Sequence, residues 1–345
     1  MRVFTCGNCR QTVYFENVKC ENCGMALGFD PQAMTMRTLA PDQSGKLVTA
    51  SRSPGRKVYC ANYAYNVCNW LVPIAEDGGL CPSCGLNKTI PDLTVNGNTE
   101  RWFEIEKAKR RLIYELLKLK LPLKPSPDSG LPPLQFDIVA GAKTGHDSGL
   151  ITINLAEADP VTREETREAF HEPYRTLLGH CRHESGHYYW MVLVNPRWID
   201  RYRQLFGDER SDYGEALATY HQDGPKPDWQ KNYISAYATA HSWEDWAESW
   251  AHYLHMIDTL ETADDYGIDP RVPNAAPVGK PWFSSTDPYK ARNATQLMDR
   301  WIPLALAMNS MNRSMGYSDF YPFIVSPSVN SKLDFIHQLV RSSAR

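Results

Sequence analysis

Eight of the nine cysteines in this 345-residue chain lie between Cys6 and Cys84, and they come as two sets of four. Cys6, Cys9, Cys20 and Cys23 read "CGNC" and "CENC", two CxxC pairs with ten residues between them. Two thiolates at this spacing on a tight turn can share one tetrahedral zinc, and the facing pair closes its shell. Cys60, Cys68, Cys81 and Cys84 make the second set, a "CPSC" knuckle opposite a wider pair. With every position taken by protein, neither zinc keeps a place for substrate, so both are expected to be structural. A segment this small and poor in apolar residues would draw much of its folding energy from the metal. Disulfides are the competing use of so many thiols. However, "MRVFTCGNCR" lacks the apolar core of a signal peptide, and no run of about 18 apolar residues occurs. The expected setting is therefore the cytoplasm, with no membrane anchor and with thiols kept reduced.

The uneven cysteines put a domain boundary near residue 95. Residues 1–95 read as a zinc-ribbon domain of rubredoxin-like knuckles with two four-cysteine zinc sites, and 96–345 as a mainly helical domain. Zinc ribbons often bind nucleic acid, and charge decides between that and other roles. Residues 1–95 carry nine Lys or Arg and seven Asp or Glu, a formal +2, while each four-thiolate zinc site adds about -2. The loaded module is near neutral or slightly acidic and the whole chain is formally -3, which argues against nucleic acid and for a structural or protein-docking role.

From Thr99, "TERWFEIEKAKRRLIYELLKLKL" repeats Trp102, Ile105, Leu112, Leu116 and Leu119 at helical spacing, with its Lys and Arg run expected to face solvent. A proline-rich loop, "LPLKPSPDSGLPPL", follows, and then two strand-like segments, "LQFDIV" and "GLITINL", the second alternating Ile151, Ile153 and Leu155 with Thr152 and Asn154. Asp159 before Pro160, with Thr162 and Glu165 as a capping box, opens a further helix. Pro173 starts or kinks the next one, which is expected from near His171 to about Leu193. The sum is an α+β chain with a small β region. Its tail, "YSDFYPFIVSPSVNSKLDFIHQLVRSS", reads as a loop and a closing helix.

Within "GHCRHESGHYYW", His183, Glu184 and His187 spell HExxH. Histidines at i and i+4 share one helix face, so both imidazoles can reach one zinc, and Glu184 sits beside it to take a proton from water. The motif is short enough to arise by chance, so a second element must support it. His180 cannot supply the third ligand, because about 10 Å of helix rise separates it from His187. Cys181 faces away from the pair. In "HSWEDWAESWAHYLHM", Ser242 as N-cap would place Glu244 in the first turn of a helix, with Glu248 one turn on beside the stripe of Trp243, Trp246 and Trp250. Buried acids need a partner, and Glu244 as ligand with Glu248 holding an imidazole meets that need. The reverse order stays open. Asp245 points about 100° away and reads as surface or cap.

"HESGH" followed by "EDWAE" resembles the gluzincin metallopeptidases. With the amino-terminal knuckles, "GLITINLAEAD", "EPYRTLLGHCRHESGHYYW" and "AHSWEDWAESWAHYLHM", nearly the whole chain resembles the bacterial zinc-binding metallopeptidases that carry a zinc-ribbon amino terminus. The resemblance implies a zincin-like body, His183, His187 and Glu244 as ligands of a catalytic zinc, and Glu184 as general base. It also implies an oxyanion-stabilising tyrosine at Tyr237, with Tyr233 and His241 as alternatives, and "GLITINL" as an edge strand able to pair with an extended peptide. The expected activity is zinc-dependent hydrolysis of a peptide or amide bond in a peptide or protein substrate, using one catalytic and two structural zinc ions. A protein partner could engage the ribbons. The rival is a ribbon-based adaptor, binding protein or nucleic acid, over a degenerate body.

Overall fold

Three of the four cysteine pairs of the amino-terminal region turn through a residue in the left-handed region, Arg10, Gly24 and Asn66, and these turns keep the strands between them short. The computed structural model describes residues 2–49, 55–169, 175–270 and 287–343. The ribbon holds an antiparallel pair, β1 (Phe4–Thr5) with β2 (Thr12–Val13), and a three-stranded antiparallel sheet of β3 (Ala26–Asp30), β4 (Thr35–Pro41) and β5 (Leu47–Thr49). A second pair follows, β6 (Lys57–Tyr59) with β7 (Leu71–Pro73), and then β8 (Asn87–Thr89).

The ribbon does not depend on metal alone. Phe15, Phe29 and Trp70 are buried with ring centroids 4.7 to 6.1 Å apart, and Tyr114 joins them from α1 (Asn98–Lys118), 5.5 Å from Phe15. The apolar stripe of α1 is buried as its spacing predicts. Its charged run is not solvent-facing throughout: Glu106, Lys109, Arg110 and Glu115 are buried too. Lys109 pairs with Glu106 at 2.7 Å, Trp102 Nε1 donates to the same carboxylate at 3.1 Å, and Arg110 donates to the Val67 carbonyl. Buried charges survive only when paired in this way. Helical spacing could not show that a protein layer covers the polar face as well. Lys120 in the left-handed region and Pro122 end α1.

After the proline-rich loop come β9 (Gln135–Val139), β10 (Gly145–Asp147) and β11 (Leu150–Asn154), in the sheet order β10-β11-β9-β8. Ile151 and Ile153 of β11 register with Phe136 and Ile138 of the parallel β9, and all four are buried. The segment expected at the sheet edge is therefore an inner strand, because β10 folds back on it as a hairpin and takes the edge. In α2 (Pro160–Ala169) the cap is Asp159, whose Oδ1 accepts from the amides of Val161 and Thr162, and not a Thr162–Glu165 box. The expected helix start at His171 and Pro173 lies outside the described residues; α3 spans Leu177–Leu193.

The remaining elements are α4 (Ile199–Phe206), α5 (Tyr213–Asp223), α6 (Ser242–Asp265), α7 (Ala294–Ser314) and the expected closing helix α8 (Pro327–Ser343). Contacts divide the chain into one unit of Met1–Lys118, Pro122–Lys124 and Pro132–Cys181, and another of Leu119–Leu121, Pro125–Leu131 and Arg182–Arg345. In the second unit, Trp246 and Trp250 of α6 are fully buried. Phe206 and Phe335 flank Trp246 at 5.6 and 6.3 Å, and Tyr189 stacks on Trp250 at 5.1 Å. Burying about 200 Å² per indole stabilises the fold by roughly 5 kcal/mol each before chain entropy is counted. Among the described residues, no helix is long and apolar enough to cross a membrane.

Candidate metal centres

All nine cysteines are free thiols. In the first set Cys6 Sγ lies 3.7 Å from Cys23 Sγ and Cys9 Sγ lies 3.6 Å from Cys20 Sγ, and in the second Cys68 Sγ is 3.7 Å from Cys81 Sγ. A disulfide needs about 2.05 Å. Four sulfurs each about 2.3 Å from a shared zinc would sit about 3.8 Å apart, so these separations fit a tetrahedral ion. Backbone amides support the sulfurs: Trp70 N donates to Cys68, Cys81 N to Cys60 and Cys84 N to Cys81. The Asn8 side chain and the Met25 amide bring the Cys23 thiol down to about 6, toward the thiolate a metal requires. The wide Cys60 to Cys68 interval is taken up by a single 3-10 turn, Ala61–Tyr65, closed by Asn66 at φ 59°.

The third cluster lies where α3 crosses the start of α6. Gly186 makes the crossing close: a Cβ there would stand 2.9 Å from Ala247 Cα. Trp246 Nε1 donates to the Gly186 carbonyl at 2.8 Å and Trp250 Nε1 to Ser185 Oγ at 3.1 Å, fixing the rotation of one helix against the other. The N-cap of α6 is His241 rather than Ser242; its Nδ1 accepts from Trp243 N and its Nε2 meets the Ser211 carbonyl. Glu244 still falls in the first turn, with Glu248 one turn on.

Across this crossing, Glu244 Oε2 is 3.0 Å from His183 Nε2 and Glu244 Oε1 is 3.6 Å from His187 Nε2. Ligand atoms about 2.05 Å from a common tetrahedral zinc would stand about 3.3 Å apart, close to the 3.0 Å between Glu244 Oε2 and His183 Nε2. One ligand atom from each of His183, His187 and Glu244 lies within 4.8 Å of the others. Glu244 is buried, and its Oε2 has no hydrogen-bond partner, the condition of an oxygen aimed at a cation. Glu248 Oε1 accepts from His183 Nδ1 at 2.6 Å, which leaves Nε2 as the ligating nitrogen. Burial alone would raise the Glu244 pKa, but His183, His187 and the Tyr213 phenol outweigh it and hold the carboxyl at about 2. Burial likewise works against a charged His183, and the two carboxylates outweigh it and push its pKa well up. The donor set thus fits a divalent cation in geometry, and the two carboxylates that favour positive charge at His183 would equally favour a metal cation in place of its proton.

Glu184 lies near enough to Tyr213 and Tyr237 for its charge to help raise both phenols, after burial as the main cause. The Tyr237 ring is 6.0 Å from the His183 ring. Tyr233 instead receives a hydrogen bond from Lys226, and both nitrogens of His241 are engaged, Nδ1 in the cap of α6 and Nε2 at the Ser211 carbonyl. His180 Nδ1 pairs with Glu157 Oε2 at 2.5 Å, and Cys181 is buried. Asp245 is buried, not exposed, and bonded to Lys332 Nζ at 2.5 Å. Tyr213 is the residue that sequence reasoning missed. It opens α5 behind the Asp212 cap and donates to Glu244 Oε1 at 2.6 Å, and no motif or spacing links it to the histidines. A cavity of about 320 Å³ adjoins this side, with Asp212, Glu215, Tyr220, Lys226 and Thr239 among its walls. Tyr220 sets its ring 5.6 Å from that of Tyr237.

A family model described as "Putative zinc-binding metallo-peptidase" matches residues 98–339, and a zinc-ribbon domain model matches residues 3–95. Uncharacterized proteins of Mycobacterium bovis and of two strains of Mycobacterium tuberculosis are each 42% identical over 349 residues, covering 99% of this chain and 95% of theirs. No solved structure matches the chain.

Proposed function

The chain belongs to the zinc-binding metallo-peptidase family, and from that premise we propose that it hydrolyses peptide or amide bonds at the His183, His187 and Glu244 centre. The observation that carries this reading is the buried Glu244 Oε2, which has no hydrogen-bond partner and faces His183 Nε2; Glu184 follows His183 in the HExxH motif of α3. In this reading residues 1–95 are the ribbon domain, with two structural zinc ions, and 96–345 the hydrolase domain.

A zinc ion held by two imidazoles and a carboxylate supplies Lewis acidity, polarising a carbonyl and acidifying water. The protein does the rest. Glu184 accepts a proton from the attacking water as the new C–O bond forms, and passes it to the departing amine as the C–N bond breaks. The Tyr237 hydroxyl, which burial keeps protonated, donates to the developing oxyanion. Glu248 holds His183 in the tautomer that presents Nε2. The cavity bounded by Glu215, Tyr220 and Lys226 gives a substrate side chain a place next to Tyr237.

Glu184→Gln tests the reaction on an unstructured protein substrate such as casein. Hydrolysis should fall by about 10² to 10⁴-fold with the zinc content unchanged. Full activity in that variant, or loss of a zinc ion with it, contradicts the role. An adaptor built on the ribbons predicts no hydrolysis by either protein.

A further inference from the structure

We propose that Tyr213 is a positioning residue of the third metal centre: its hydroxyl occupies one oxygen of Glu244, so that the carboxylate offers only the other to the ion. The proposal rests on the reading of His183, His187 and Glu244 as the ligands.

The two oxygens of Glu244 are unequal. Oε1 accepts from Tyr213 at 2.6 Å and lies 3.6 Å from His187 Nε2. Oε2 has no hydrogen-bond partner and lies 3.0 Å from His183 Nε2. A carboxylate bound through one oxygen takes a single place in a metal's shell, whereas one bound through both takes two and crowds out water or substrate. A catalytic zinc with three protein ligands depends on that open place. Hydrogen bonds to the outer atoms of ligands are what usually settle such a choice.

The phenol is not there as core. No residue of α5 is buried, and Tyr213 itself is 36% exposed. Its ring meets His241 edge-on at 5.2 Å and Trp243 at a tilt at 5.8 Å, while its hydroxyl reaches a carboxylate that is 1% exposed. An exposed helix that sends one polar atom into a buried site is placed for that contact.

The test compares Tyr213→Phe with Tyr237→Phe in the full chain, without substrate. Zinc affinity at the third centre is read by chelator competition, and the coordination number by the visible absorption of cobalt placed there. Tyr213→Phe should weaken zinc binding by about tenfold or more and weaken the cobalt bands as the shell gains a ligand. Tyr237→Phe should leave both unchanged. The zinc of the two cysteine sites should stay at wild-type values in both variants, because both tyrosines lie outside residues 1–95. Unchanged affinity and spectrum in Tyr213→Phe overturn the proposal, as does an equal change in Tyr237→Phe. Neither readout uses hydrolysis, so an inactive wild-type protein would sink the proposed reaction and leave this inference standing.

Discussion

Gly186→Ala puts helix propensity and helix packing in opposition, and the two give opposite signs. On propensity alone, replacing a mid-helix glycine by alanine stabilises by about 1 kcal/mol. At this crossing the added Cβ would lie 2.9 Å from Ala247 Cα, 3.2 Å from Trp250 Cδ1 and 3.3 Å from Ala247 Cβ. Carbon atoms rest at about 3.5 to 4.0 Å, so α3 and α6 must part by roughly 0.6 Å or more. Overpacking of this kind costs about 1 to 3 kcal/mol, and the separation also stretches two buried indole hydrogen bonds, at about 1 to 3 kcal/mol for each one lost. Those bonds are Trp246 Nε1 to the Gly186 carbonyl and Trp250 Nε1 to Ser185 Oγ. The net expectation is destabilisation by about 1 to 4 kcal/mol. The 3.0 Å approach of Glu244 to His183 spans the same crossing. Sites of this kind tolerate about 0.5 Å, so zinc affinity there should fall at least tenfold, by about 1.4 kcal/mol. Urea unfolding gives the stability and chelator competition the affinity. A variant more stable than wild type by about 1 kcal/mol, with the third zinc bound as tightly, would refute the reasoning.

Lys332→Met should cost about 3 to 5 kcal/mol by stranding a buried carboxylate, because Asp245, already raised to about 7 by burial, loses the ammonium bonded to it at 2.5 Å. Adding Asp245→Asn should recover most of that loss in the same urea titration; a single variant within about 0.5 kcal/mol of wild type, the range of an ordinary surface change, would contradict the pairing. Stability should also fall on acidification. Burial holds His252 and His146 at about 4 and His255 at about 3, so below an unfolded value of about 6.5 the unfolded chain takes up protons that the folded one refuses. For His252 alone the loss between pH 7 and pH 5 is about 2 kcal/mol, and His252→Gln, which can keep the bond to Tyr321, should flatten the profile by that amount. An unchanged profile would show that His252 does not titrate on unfolding.

How far the sequence reaches depends on whether a constraint is local. The cysteine spacings, the i and i+4 histidines and the carboxylates four apart on α6 are set within one turn or one helix, and their side chains meet as such spacings allow. The identity of the cap was missed because an imidazole nitrogen can accept an amide as a hydroxyl does, and His241 stands one residue before Ser242. Non-local pairing hid the rest. Lys109 and Glu106 look like a solvated face until β8 supplies Asn87 to the same pair, and Asp245 looks exposed until Lys332, 87 residues on, reaches it. β11 could not be told from an edge strand, because alternation shows which face is buried and not how many neighbours a strand has. Tyr213 comes from a helix without a buried residue, so no apolar period marked it.

Zinc counted per chain in wild type and in His183→Ala tests directly whether three metal centres of two kinds share this chain. Three ions are expected in the wild type and two in the variant, with both cysteine sites still filled. Two ions in each protein would show that His183, His187 and Glu244 hold no metal, and would remove the basis of the proposed hydrolysis.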